Sequence, residues 1–224
     1  MIDDLQPSHN KKKPLLRGVS HAIAAVASVV GAVALWNVAA GDRPRQITML
    51  VFGLSLVALY AASATYHLGT WKGKAYMLFR RMDHAMIFVL IAGTYTPFCF
   101  VLLSGKERVV MLVLAWGAAL AGMSVKLFMP FLRRRFSVPI YLGVGWLAVF
   151  QLDEFIRRLS PPGLALLAAG GLAYTLGAIF YGLRRPNPIP GVFGYHEVFH
   201  LLVITGSVAH FLAVLFYVAP IPRV

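Results

Sequence analysis

The sequence predicts an all-α membrane protein, a bundle of seven transmembrane helices. Of its 224 residues, 59% are hydrophobic and only 13% charged, and the mean hydropathy is +0.73. The apolar runs also extend past the ~20 residues needed to cross a bilayer core. A soluble domain of this length interrupts its apolar runs every few residues, so the chain requires lipid as part of its solvent.

The elements follow in order from the apolar runs and the charged or Pro/Gly-rich breaks between them. Residues 1–17 are polar and basic, with Asp3, Asp4, Lys11, Lys12 and Lys13, and read as a cytoplasmic tail. No cleavable leader is expected, because the apolar run that follows is long enough to span and remain. Spans are expected near 18–40, 46–68, 82–103, 109–128, 137–152, 163–183 and 195–218. The fifth is short, begins near Pro139 and ends at Asp153 and Glu154; Phe131 is an alternative start. Pro186, Pro188 and Pro190 form a stiff connection into the last span. Residues 18–218 thus make one transmembrane domain, followed by a short tail over 219–224. Trp36, Trp71 and Tyr76 have the positions of interfacial anchors.

The net charge of +13 does not indicate a nucleic-acid partner, because the 21 Lys and Arg lie in short clusters between apolar runs rather than along one face. They read as topology signals. The N-terminal tail and the 2–3, 4–5 and 6–7 connections carry fourteen of them, and the other side carries seven. The positive-inside rule therefore puts the N-terminus in the cytoplasm and the C-terminus outside. A single cysteine, Cys99, leaves no intrachain disulfide and no cysteine cluster, so any metal must be held by His, Asp or Glu.

Polar residues inside spans are costly in lipid, and here they gather at span ends assigned to one side. Ser63 and His67 end the second span, Asp83 and His84 begin the third, and His196, Glu197 and His200 begin the seventh. Ser63 and His67 are four apart, as are His196 and His200, which places each pair on one helical face. Two imidazoles one turn apart can share an ion. With His67 as the third ligand, the fourth tetrahedral position of a zinc ion stays open, as in catalytic sites. Asp83 is then placed as general base and Ser63 as a hydrogen-bond donor beside it. Plainer readings stand next to these. Asp83 neighbours Arg80 and Arg81 and suits an interfacial ion pair, and Ser63 can bond back to the carbonyl of Leu59. His21, His84 and His210, taken singly, read as packing residues. His196-Glu197-Val198-Phe199-His200 also matches the H-E-x-x-H zinc-protease pattern, in which the Glu is the base.

The ordered motifs Ser63-Ala-Thr-Tyr-His67, Arg81-Met-Asp83-His84 with Ile91-Ala-Gly-Thr-Tyr-Thr-Pro97, and His196-Glu-Val-Phe-His200 through Gly206-Ser207 and His210-Phe211 resemble the hemolysin III family. That family is the bacterial branch of the progestin and adipoQ receptor group, which includes the adiponectin receptors and is distantly related to alkaline ceramidases. The likeness runs from about Gly18 to Val218. It implies a seven-helix bundle with a cytoplasmic N-terminus in the bacterial cytoplasmic membrane, zinc on His67, His196 and His200, and Ser63 and Asp83 beside the metal-bound water. It implies no required acid after His196, which weakens the protease reading. The short N-terminal tail departs from the receptors and speaks against a hormone-binding role. The expected partners are membrane lipids, and the expected function is zinc-dependent hydrolysis of a lipid amide or ester. The alternatives are a non-catalytic regulator of membrane lipid homeostasis with a structural zinc, an intramembrane metalloprotease and a cytolytic protein. The last is disfavoured by the lack of an amphipathic pore-forming segment.

Overall fold

The protein is described by a computed structural model over residues 16–129 and 134–222. Among the described residues, seven helical segments are long and apolar enough to cross a membrane. They are α1 (Val19–Val38), α2 (Arg43–Leu68), α3 (Gly73–Leu102), α4 (Gly105–Phe128), a composite fifth span, α7 (Pro161–Leu183), and α8 (Tyr195–Ala213), which a π-turn extends to Val218. The fifth span is α5 (Arg134–Gly145), a 3-10 segment (Trp146–Gln151) and α6 (Leu152–Arg158). The Lys11–Lys13 run, Arg133, Arg223 and the alternative start at Phe131 lie outside the described residues.

Two expected boundaries move. The third span was expected from 82, but α3 begins at Gly73, two and a half turns earlier. Hydropathy registers only the apolar part of a helix, and Lys74, Arg80 and Arg81 hide its polar start. The fifth span runs 134–158 rather than 137–152 and is not one regular helix. Its break has an identifiable cause. The Tyr95 hydroxyl, reaching across from α3, donates to the carbonyl of Gly145 at 2.6 Å and accepts from the backbone N–H of Ala148 at 2.7 Å. A side chain inserted between backbone groups replaces ladder bonds and tightens the turn.

Consecutive helices pack side by side from α1 to α4, the fifth span lies against α3, α4 and α7, and α8 packs on both α7 and α1, which closes the ring. Burial is uneven. In α2 and α3, 56% and 67% of the most apolar window is buried, against 22% in α1 and 11% in the fifth span. The core is therefore built on α2 and α3, with Phe52, Met49, Phe88 and Leu102 enclosed. In α1 the buried stripe is His21, Ala24, Ser28, Ala32 and Leu35, at helical spacing, while Ile23, Val26 and Val30 face outward as a lipid-facing surface. Close approach of α1 and α2 needs Gly53, where an added Cβ would lie 2.6 Å from the Cβ of Ala32. Small residues at such crossings let membrane helices pack backbone to backbone.

The arginines at the end of the bundle opposite the histidines bond backbone carbonyls. Arg45 donates to the carbonyls of Ala219 and Ile221, Arg108 to that of Leu103 at 2.8 Å, and Arg158 to that of Pro222 at 3.1 Å. Helix C-termini leave such carbonyls without intrahelical partners, and these guanidinium groups satisfy several of them.

Candidate metal centre

The last turns of α2 carry Ser63 and His67 on one face, and the first turns of α8 carry His196 and His200 on one face. The packing of the ring brings these two ends together. Nε2 of His67 and Nε2 of His196 are 3.1 Å apart. One ring nitrogen from each of His67, His196 and His200 falls within 4.8 Å of the others. His67 and His200 are buried and His196 is partly so. Zinc–nitrogen bonds of 2.0–2.1 Å at tetrahedral angles put ligand nitrogens about 3.3 Å apart. The His67–His196 pair is already near that spacing, and a ring nitrogen of His200 lies within 4.8 Å of both. The three imidazoles can therefore hold a divalent metal ion.

Asp83, in the third turn of α3, reaches the same point. Its Oδ2 lies 3.8 Å from His67 Nε2 and 3.8 Å from His84 Nδ1. The ion pair with Arg80 or Arg81 that the sequence also allowed is not found among the described residues; Asp83 turns inward to the histidines. Ser63 is 1% exposed and lies beside Asp83. Its back-bond to Leu59 is likewise not seen. His84 keeps a packing role: Nδ1 bonds the carbonyl of Arg80 at 2.8 Å, and Nε2 lies 3.4 Å from the Tyr181 hydroxyl. His210 does the same, with Nε2 3.1 Å from the carbonyl of Leu167.

Glu197 is only 3% exposed, and both of its oxygens are occupied. Oε1 accepts from Arg17 Nε at 2.7 Å and Oε2 from the backbone N–H of Gly194 at 2.8 Å. The second contact caps the start of α8, as a Glu at the third helical position commonly does. A carboxylate held in this way on both oxygens is a poor general base, which argues against the protease pattern.

One residue at the centre was read from the sequence only as a packing residue. His21, 2% exposed, stacks its ring on that of His200 with centroids 3.7 Å apart and planes 11° from parallel. The signal was present, since His21 lies in the first turn of an odd-numbered span, at the same end as the other histidines. The anchor residues fare mixed: Trp71 donates to the carbonyl of Thr65 at 2.7 Å at the end of α2, Tyr76 meets the Tyr66 hydroxyl at 3.2 Å, and Trp36 lies under the Arg43 guanidinium.

The chain is similar to several known proteins. Residues 9–211 match the family described as Haemolysin-III related. The Hemolysin-3 homolog of Bacillus subtilis (strain 168) is 35% identical over 215 residues, covering 94% of this chain and 97% of that protein. Hemolysin-3 of Bacillus cereus is 34% identical over 213 residues, 93% of each chain. The Heptahelical transmembrane protein ADIPOR2 of Oryza sativa subsp. japonica is 31% identical over 182 residues, covering 74% of this chain and 79% of that one.

Proposed function

The chain belongs to the haemolysin-III family, and from that premise we propose that it is an integral membrane zinc protein that hydrolyses a lipid amide or ester. The observation that carries this reading is the Asp83 carboxylate, 3.8 Å from Nε2 of His67 and beside the buried Ser63 hydroxyl. A structural metal site needs ligands alone, whereas this one has an acid in place to move a proton. His67, His196 and His200 would hold the ion. Bound there, zinc supplies Lewis acidity and acidifies water from its bulk value to near 7. Asp83 would accept a proton at its carboxylate during attack by water and return it to the leaving group. Ser63, beside Asp83, would donate its single hydroxyl proton to the oxygen on which charge develops. In this reading the N-terminus and the histidine end face the cytoplasm, and the membrane is the bacterial inner membrane.

The test has two parts. Elemental analysis of detergent-purified protein should give about one zinc per chain, lost in His67→Ala, His196→Ala and His200→Ala and retained in Glu197→Gln. Lipidomics of cells expressing Asp83→Ala should show a lipid accumulating that wild-type cells consume; an unchanged profile counts against hydrolysis.

A second reading, a regulator of lipid homeostasis with a structural zinc, is favoured by the way the centre ties α2 to α8 at one end of the bundle. It predicts that the histidine variants loosen the fold while Asp83→Ala leaves function intact. A direct cytolytic role has only the names of relatives behind it, and lysis by purified protein would be needed to establish it.

A further inference from the structure

Three contacts, from the first turn of α1 and the two residues before it, bring this end of the chain onto the helices that carry the three histidines. Arg17 Nε meets Glu197 Oε1 of α8 at 2.7 Å. Gly18, with a φ of +88°, passes so close to α2 that an added Cβ would stand 2.8 Å from the Cβ of His67. His21 stacks on His200 at 3.7 Å. Each contact falls on a ligand or next to one, and together they make α1 a wall of the centre.

Of the three, His21 bears on the chemistry. The ring of a histidine turns about its Cβ–Cγ bond in a broad, roughly two-fold well, so its plane must be set by neighbours. His200 needs its plane set, because only one orientation points a nitrogen at the place shared with His67 and His196. Metal-bound histidines are usually fixed by a hydrogen bond from the second ring nitrogen; here a flat face lies 11° from parallel against the ring instead. His21 is itself held edge-on by Tyr60, with centroids 5.0 Å apart and planes at 70°. Neither of its ring nitrogens has a hydrogen-bond partner among the described residues, although the side chain is 2% exposed. Its contribution is therefore the face of the ring.

We propose that His21 is a positioning residue of the metal centre, whose stacked ring fixes the plane in which His200 presents its nitrogen, with Arg17 and Gly18 seating the turn that carries it. The proposal rests on the zinc reading above and adds a residue that is not itself a ligand.

The experiment compares full-length detergent-purified wild type, His21→Leu, which fills the space without a flat face, and His21→Phe, which restores the face without nitrogens. Zinc affinity is measured by competition with a chromophoric chelator, and ligand geometry by the visible spectrum of the Co(II)-loaded protein. Size-exclusion chromatography confirms that each variant is folded. His21→Leu should bind zinc about 10- to 100-fold more weakly with a shifted Co(II) band, and His21→Phe should return both to the wild-type result. Wild-type affinity and spectrum in His21→Leu would overturn the proposal, as would a His21→Phe protein no better than His21→Leu. If His21→Leu does not fold, His21→Met removes the flat face with a more adaptable side chain and is held to the same outcomes. A wild type that binds no zinc overturns the zinc reading and this proposal together, whereas a zinc-binding wild type with an indifferent His21→Leu overturns this proposal alone.

Discussion

Replacing Arg17 by Leu should destabilise the protein more than replacing Arg17 and Glu197 together. Glu197 is 3% exposed and Arg17 24%. In Arg17→Leu the carboxylate stays buried with a single remaining donor, the Gly194 N–H. Breaking a fully buried pair costs ~3–5 kcal/mol, and the partial solvent access of this one reduces the figure to about 2–3 kcal/mol. Glu197→Gln keeps the shape and one accepting oxygen, losing about 1 kcal/mol for the bond that an amide cannot make. The double variant Arg17→Leu/Glu197→Gln has no orphaned charge and should fall near the Glu197→Gln value, so the two substitutions are strongly non-additive. The assay is reversible unfolding in mixed detergent micelles, followed by far-UV circular dichroism for all three variants. A double variant as unstable as Arg17→Leu, or a neutral Arg17→Leu, would refute the reasoning. The same proteins bear on chemistry: Glu197→Gln that keeps zinc but loses a zinc-dependent activity would return the protease pattern to the front.

Three other outcomes follow from the same geometry. Zinc at 100 times its dissociation constant should raise the unfolding free energy of wild type by about 2.7 kcal/mol, and this increment should vanish on chelation and in His200→Ala. The single natural cysteine is buried, so added cysteines report orientation cleanly. In intact cells a membrane-impermeant maleimide should label Lys106→Cys and leave Pro188→Cys unmodified, both positions being exposed; the reverse pattern inverts the bundle. Gly53→Val should force α1 from α2 at the point where a Cβ meets Ala32 and cost about 1–3 kcal/mol in the same unfolding assay.

The seven spans were legible because lipid makes hydropathy nearly sufficient: the first, second, fourth, sixth and seventh fall within a few residues of the helices. What failed was local. The polar start of α3 is invisible to hydropathy because Lys74, Arg80 and Arg81 belong to a helix but not to its apolar part. The break at Trp146–Gln151 depends on the Tyr95 hydroxyl, 53 positions from Ala148, and no local pattern encodes such a contact. The His67, His196 and His200 set was legible from spacing and common depth. His21 satisfied the depth argument too but lacked an i,i+4 partner, and spacing had been the filter. The short H-E-x-x-H motif left a second reading open for Glu197, because the Arg17 that occupies it lies 180 positions away.

Depth along the helices bears on which bond such a centre can attack. His67 is the penultimate residue of α2 and His196 the second of α8, so both backbones lie within about 3 Å of a helix end. Asp83 lies ten residues into α3, about 15 Å from its start, so the first turns of α3 project beyond the ends of α2 and α8 and carry Lys74, Arg80 and Arg81 with them. In the proposed membrane placement the histidines lie close to one boundary of the hydrocarbon layer, under a basic rim that anionic headgroups favour. A membrane lipid holds its amide or ester bonds at that boundary, between headgroup and acyl chains, where water is at hand and the chains need not leave the bilayer. A peptide bond in the middle of a transmembrane segment lies deeper, and cutting it would require the substrate helix to unwind and slide outward. The shallow placement of His67 and His196, together with the occupied carboxylate of Glu197, favours a lipid carbonyl over a buried peptide as the substrate group.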